Sequence, residues 1–189
     1  MKQFFFTMVL SLVLISCNQQ TISYKEISKR TEQSKDTVKK FSQLLKAELQ
    51  ASMKMGGPLQ ALSVCNLQAP VIAKQLSMEQ GWDIYRTSLK PRAKSADAWE
   101  TKIMKSFEQK HTDGDKFGSL YAQDIVEVNG KVAFRFMQAI ETKGICLKCH
   151  GTKIAPEVVK KISELYPDDK ATGFNAGDIR GAFSIIQYL

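Results

Sequence analysis

Asp124-Ile125-Val126-Glu127-Val128-Asn129-Gly130-Lys131-Val132-Ala133-Phe134-Arg135-Phe136 is the stretch that decides the fold class. Two runs rich in β-branched and aromatic residues flank Asn129-Gly130. Asn-Gly is the best pair for a type I′ turn, because both central residues need positive φ. Residues 124 to 140 are therefore a predicted β-hairpin. Two further strands are expected around it. Trp82, Ile84 and Arg86 alternate with Asp83, Tyr85 and Thr87 over Trp82 to Leu89. Asp178 to Tyr188 reads as a closing strand, with Ile179, Ala182, Ser184 and Ile186 near one alternating face.

The segments outside these strands are helical. Ile22, Ile27, Val38, Phe41, Leu44, Leu45 and Leu49 place a helix over 18–55, with spacing close to 3.6 from Val38 onward. Gly56-Gly57-Pro58 ends it, and Pro58 opens a second helix carrying Leu59, Leu62, Val64 and Cys65. Ala69-Pro70 should break or kink that helix, and Val71-Ile72-Ala73 restart it toward Gly81. Lys90 to Ala98 is a loop, Trp99 to His111 a short amphipathic helix, and Asp113-Gly114-Asp115 a turn. Pro156 to Tyr166 is a further short helix. Helices first, then a meander of strands, predict an α+β fold with an antiparallel sheet and helices packed on one side.

The chain has 189 residues, 43% hydrophobic and 24% charged, enough for one foldable domain with accessory segments. The net charge is +8, but no basic run reaches five residues and no nucleic-acid motif is present. The charge suits a solvated surface with weak attraction to anionic lipid or an acidic redox partner.

Met1-Lys2 and the apolar run Phe4 to Ile15 form the start and core of a secretory signal, too short to span a bilayer. Leu14-Ile15-Ser16-Cys17 resembles a bacterial lipobox. This implies cleavage before Cys17, lipidation of Cys17 and an extracytoplasmic, membrane-anchored protein. Asn18 is not aspartate, which under the enterobacterial sorting rule points to the outer membrane.

Cys146-Leu147-Lys148-Cys149-His150 is a C-x-x-C-H sequence, the usual attachment site of a c-type haem. Two thiols three residues apart add to the two vinyl groups, and the adjoining histidine becomes the proximal iron ligand. Two other readings compete. A thioredoxin-like disulfide normally follows the first strand of a βαβ unit, and none precedes this site. A Cys3His zinc site would use Cys65, Cys146, Cys149 and His150, but adjacent Cys149 and His150 are awkward partners for one tetrahedral ion. The distal ligand is left open among Cys65, His111, Met53, Met55, Met78, Met104, Met137 and none.

Several segments resemble a family of PAS-like haem c domains. They are Ala61-Leu62-Ser63-Val64-Cys65, Ala69-Pro70-Val71-Ile72-Ala73, Arg86-Thr87-Ser88-Leu89-Lys90, Ala98-Trp99-Glu100 and the C-x-x-C-H run with Gly151. Tyr166-Pro167-Asp168-Asp169-Lys170-Ala171-Thr172-Gly173 and Gly177-Asp178-Ile179-Arg180-Gly181-Ala182 complete the series, in the same order. Arg86-Thr87 departs from the family's paired basic residues, and Arg92-Ala93-Lys94-Ser95 from its Arg-Asn-Pro. The resemblance implies a PAS-type fold and one haem held by His150 and a distal Cys65. The expected organisation is a signal peptide over 1–16, a tether and start of the N-terminal helix over 17–35, and a PAS-like haem c domain over 36–189.

A cysteine thiolate cancels the charge of the ferric centre, so a low potential is expected. Loss of Cys65 on reduction would open a site for a diatomic gas. Arg86, Lys90, Arg135 and Arg180 are the candidate partners of the haem propionates. The expected role is a redox or gas-responsive sensor module. No kinase or cyclase segment follows, so its output should pass through a signalling or redox partner. An electron-transfer cytochrome is the alternative. Two filled axial positions argue against an enzyme.

Overall fold

The structure, a computed structural model, describes residues 22–189. The signal segment, the lipobox and Cys17 lie outside the described residues. No described helix is long and apolar enough to cross a membrane.

Helix α1 spans Tyr24–Ser63, capped by the Ser23 hydroxyl, which accepts from the Glu26 amide. Gly56 and Gly57 have non-helical backbone, so the helix is kinked where Gly56-Gly57-Pro58 predicts an end. The described part of the 17–35 segment is docked. Arg30 Nη1 donates to Gln187 at 2.9 Å, and Gln187 donates to the buried Ser34 hydroxyl at 2.9 Å.

After α1 the chain makes one π-helical turn, Val64–Gln68, and continues as α2, Ala69–Gln80. The helix does not break at Ala69-Pro70, where a break or kink is expected; the irregularity is the π turn just before it. Pro70 sits in the first turn of α2, where its missing N–H costs little. The wider π turn just before it carries Cys65. Gly81, at φ 70°, closes α2 in the left-handed conformation.

The sheet contains β1 (Asp83–Thr87), β2 (Tyr121–Val128), β3 (Lys131–Glu141) and β4 (Ile179–Tyr188). Its spatial order is β1-β4-β3-β2, and every pairing is antiparallel. Asn129 (φ 51°) and Gly130 (φ 76°) form the predicted turn, with Val128 facing Lys131.

Helices cover both faces of the sheet, which corrects the expectation of one covered side. On one face Val38, Phe41, Ile72 and Leu76 of α1 and α2 pack on Ile84, Phe134, Phe136, Phe183 and Ile185. On the other, Met104 and Phe107 pack with Leu120, Met137 and Ala182. These two come from α3 (Ala98–Thr112), whose start is a capping box between Asp97 and Glu100. β4 is central and buried on both faces, so its pattern is a continuous apolar run and not a clean alternation. The architecture is α+β and PAS-like, with an N-terminal helical arm and flanking helices.

Candidate functional site

The C-x-x-C-H run leaves β3 through a short 3₁₀ turn, Gly144–Cys146, and forms the single-turn helix α4, Leu147–His150. Gly151 follows with no room for a side chain, since a Cβ there would lie 2.7 Å from the Leu147 carbonyl oxygen. Helix α5 (Pro156–Leu165) then packs back. Its Val158 and Ile162 form a cluster with Leu62 of α1, and Cys149, Ile154 and Leu165 lie against it. Leu62 is one turn before Cys65, so this cluster brings the Cys65 turn and the C-x-x-C-H turn together.

Cys65, Cys146 and Cys149 are free thiols, each partly buried. No disulfide joins Cys146 and Cys149. Among the described residues, no group of three or more His, Cys, Asp or Glu side chains is arranged to hold a metal ion. The Cys3His zinc arrangement weighed on the sequence is therefore not formed.

His150 is held on its own backbone side. Its Nδ1 lies 2.6 Å from the Ala171 carbonyl, which can only accept, so Nδ1 carries the proton and Nε2 the lone pair. Phe174 meets the imidazole edge-on, with ring centroids 6.4 Å apart. Burial, then the charges of Arg180 and Arg92, push the His150 pKa down to about 3. The ring is neutral at physiological pH.

Cations gather on the other side of the ring. Arg180 Nη2 stands 3.5 Å from Nε2, the outer limit of a hydrogen bond, and its guanidinium lies over the Phe174 ring. Burial, then Arg92 and Arg86, push the Arg180 pKa down to about 10. Arg86 is lowered by burial, partly offset by Cys65 and Tyr166, so the Cys65 thiol lies within electrostatic reach of this guanidinium. Lys90 reaches the Thr172 carbonyl at 3.4 Å and the face of Phe174 at 4.8 Å.

Arg135 stands apart, and its grouping with these cations is corrected. It lies opposite Ile186, six residues along β4 from Arg180. Its guanidinium pairs with Glu100 at 3.1 Å and Asp97 at 2.8 Å and stacks on Trp99. Glu100 is itself buried and accepts from Tyr85 and Ser184. Position in a strand says only that a side chain faces one side of the sheet. Here that side is the α3 packing, where a buried carboxylate claims the cation.

The residue that sequence reasoning missed is Arg92. Its Nε and Nη2 donate to Asp169 Oδ1 and Oδ2 at 2.9 and 3.1 Å, and Nη2 also donates to the Cys149 carbonyl at 2.8 Å. Arg92 and Asp169 both lie in segments that bear on the family resemblance. Their seventy-seven-residue separation hid the pairing.

His111 is at the far end of α3, its ring 4.7 Å from that of Phe117. Met104 and Met137 are core residues of the α3 face, and Met55 and Met78 are exposed.

A family model described as Tll0287-like matches residues 18–187. The crystal structure of the cyanobacterial heme-protein Tll0287 matches with a TM-score of 0.63 and 20% identity, covering 87% of this chain and 95% of that one. At that identity the likeness is one of fold. No curated protein matches. The resemblance carried by the segments from Ala61 to Ala182 is borne out, and the chain belongs to the Tll0287-like family.

Proposed function

We propose that this protein carries one covalently attached haem c on Cys146 and Cys149, with His150 as proximal and Cys65 as distal iron ligand. The matched structure is of a protein named as a heme-protein, which agrees with this reading. The observation that carries it is the state of His150. The Ala171 carbonyl accepts a hydrogen bond from its Nδ1–H, which leaves the Nε2 lone pair facing the arginine cluster.

The residues fit such a group. Arg86, Arg92, Arg180 and Lys90 gather here, and of these Arg92 alone is paired with a carboxylate, Asp169, among the described residues. Arg92 Nη1 and Arg180 Nε are buried without a partner. A pair of propionates would supply the missing negative charge and acceptors. Arg86, Lys90, Arg92 and Arg180 are the residues that would hold them.

Haem would supply a one-electron centre and, with one axial position open, a site for a diatomic gas. The chain's own groups bias that centre. Donation of Nδ1–H to a carbonyl makes His150 a stronger donor. An anionic Cys65 ligand favours the oxidised state, whereas the neighbouring arginines favour the reduced one. Protonation of Cys65 on reduction would release it. We therefore read the protein as a redox or gas-responsive sensor module and not as an enzyme, since with both His150 and Cys65 bound no iron position is free for a substrate. With Cys17 lipidated, it would work at a membrane surface outside the cytoplasm, through a protein partner.

The test is mass spectrometry, absorption and EPR of the protein produced with haem-attachment machinery, compared with Cys65→Ala. A covalent haem mass, a Soret band and a Cys65-dependent EPR signal are expected. Identical spectra would remove Cys65 from the iron. A reduced wild-type protein that refuses carbon monoxide would leave the electron-transfer role in place of gas sensing.

A further inference from the structure

We infer that Arg92 and Asp169 act as one positioning unit that fixes the plane of the His150 ring. This rests on the reading of His150 as a haem ligand. Three pieces of chain meet there: the loop after β1, the turn α4, and the segment between α5 and β4.

The hydrogen bonds form a closed ring. His150 Nδ1 donates to the Ala171 carbonyl at 2.6 Å. The Ala171 amide donates to Asp169 Oδ1 at 3.1 Å. Asp169 receives the two-pronged Arg92 guanidinium. Arg92 Nη2 donates to the carbonyl of Cys149, which is bonded to His150. Both charged side chains are nearly closed to solvent, at 7% and 8% exposure. Asp169 therefore holds the Ala171 peptide from behind while Arg92 ties it to the ligand turn. Three backbone bonds lash the same strap in place: Lys170 to Pro91, Gly173 to Gly151 and Phe174 to His150.

A simple structural ion pair would need only one of these contacts. The fork of Arg92 makes three, on two different segments, and both segments hold the same imidazole. A lysine cannot reproduce this, because a point charge lacks the planar fork.

The experiment uses haem-loaded protein carrying Arg92→Lys, Asp169→Asn, or both, with Arg135→Lys as a control at the buried pair on the opposite end of the sheet. EPR g-values, midpoint potential and thermal unfolding are measured for each. Loosening the Nδ1–H donation weakens His150 as a donor, so the potential should rise and the EPR lines broaden in both single variants. Because the two residues work as one unit, the double variant should shift no further than the larger single one. Arg135→Lys should lower stability while leaving g-values and potential at wild-type values. The inference is overturned if Arg92→Lys keeps wild-type g-values and potential, or if the shifts add. Should Asp169→Asn fail to fold, Arg92→Lys alone decides. Wild-type protein lacking covalent haem would instead overturn the ligand reading beneath it, a result distinct from unchanged spectra on loaded protein.

Discussion

Gly181 of β4 lies directly against the carbonyl oxygen of Thr87 in β1, so close that a Cβ would overlap it. Its φ of 154° is one that side-chain-bearing residues rarely adopt. This approach seats Arg180 beside Ser88, whose hydroxyl donates to the Arg180 carbonyl at 2.9 Å. Gly181→Ala should cost about 1–3 kcal/mol from backbone strain, before any overlap is counted. Gly118→Ala, where nothing lies within 4 Å of the added methyl, is the control. Urea unfolding of both reads the difference, and equal midpoints would refute the close-approach argument.

Leu62 is 1% exposed and shares a cluster with Val158 and Ile162, against which Cys149 rests. Leu62→Ala should lose about 2–5 kcal/mol, the range for a buried leucine left as a cavity. It should also loosen the Cys65 turn, three residues on, and broaden any Cys65-dependent EPR signal. A stable variant with unaltered EPR would show that the cluster does not position Cys65.

Removing Arg135 leaves Glu100 buried with no cation. Arg135→Met should therefore destabilise the fold by about 3–5 kcal/mol. Haem attachment and the Soret position of the folded fraction should not change. A changed spectrum would return Arg135 to the haem site.

Arg180 puts a positive charge beside His150. A nearby cation opposes the more positive, oxidised state, so Arg180→Gln should lower the midpoint potential. Spectroelectrochemistry measures it, and an unchanged or raised potential would exclude Arg180 from the haem environment.

Tyr85 supplies the pH dependence. Burial first, then its bond to Glu100, hold its hydroxyl proton well above the ordinary tyrosine range. The folded state keeps this proton more tightly than the unfolded chain. The stability it contributes is complete below about pH 10 and falls as pH rises past that value. Alkaline denaturation followed at a tyrosine absorption band should therefore be less steep in Tyr85→Phe. An unaltered slope would place the Tyr85 hydroxyl in water.

Local patterns were legible where the responsible interaction is local. Asn129-Gly130 names its own turn and Gly81 its own helix end, because each depends on residues within a few positions. Pro70 misled, since its cost depends on its place within a turn, and the π turn before it shifts that place. Arg135 misled because its partner, Glu100, is fixed by sheet register and the seating of α3.

The sequence by itself determined most of the elements, the α+β class and the residues proposed to bind a haem. Those follow from backbone sterics, the alternation of apolar residues and the reactivity of thiol and imidazole. The tertiary structure alone decided the rest. It laid helices on both faces of the sheet and carried Leu62 to the α5 cluster beside Cys149. It turned the His150 Nδ1–H onto Ala171, and it sorted one arginine to Glu100 and three to the His150 cluster. Long-range burial makes those choices, because a charge removed from water takes whichever partner the packing brings within reach.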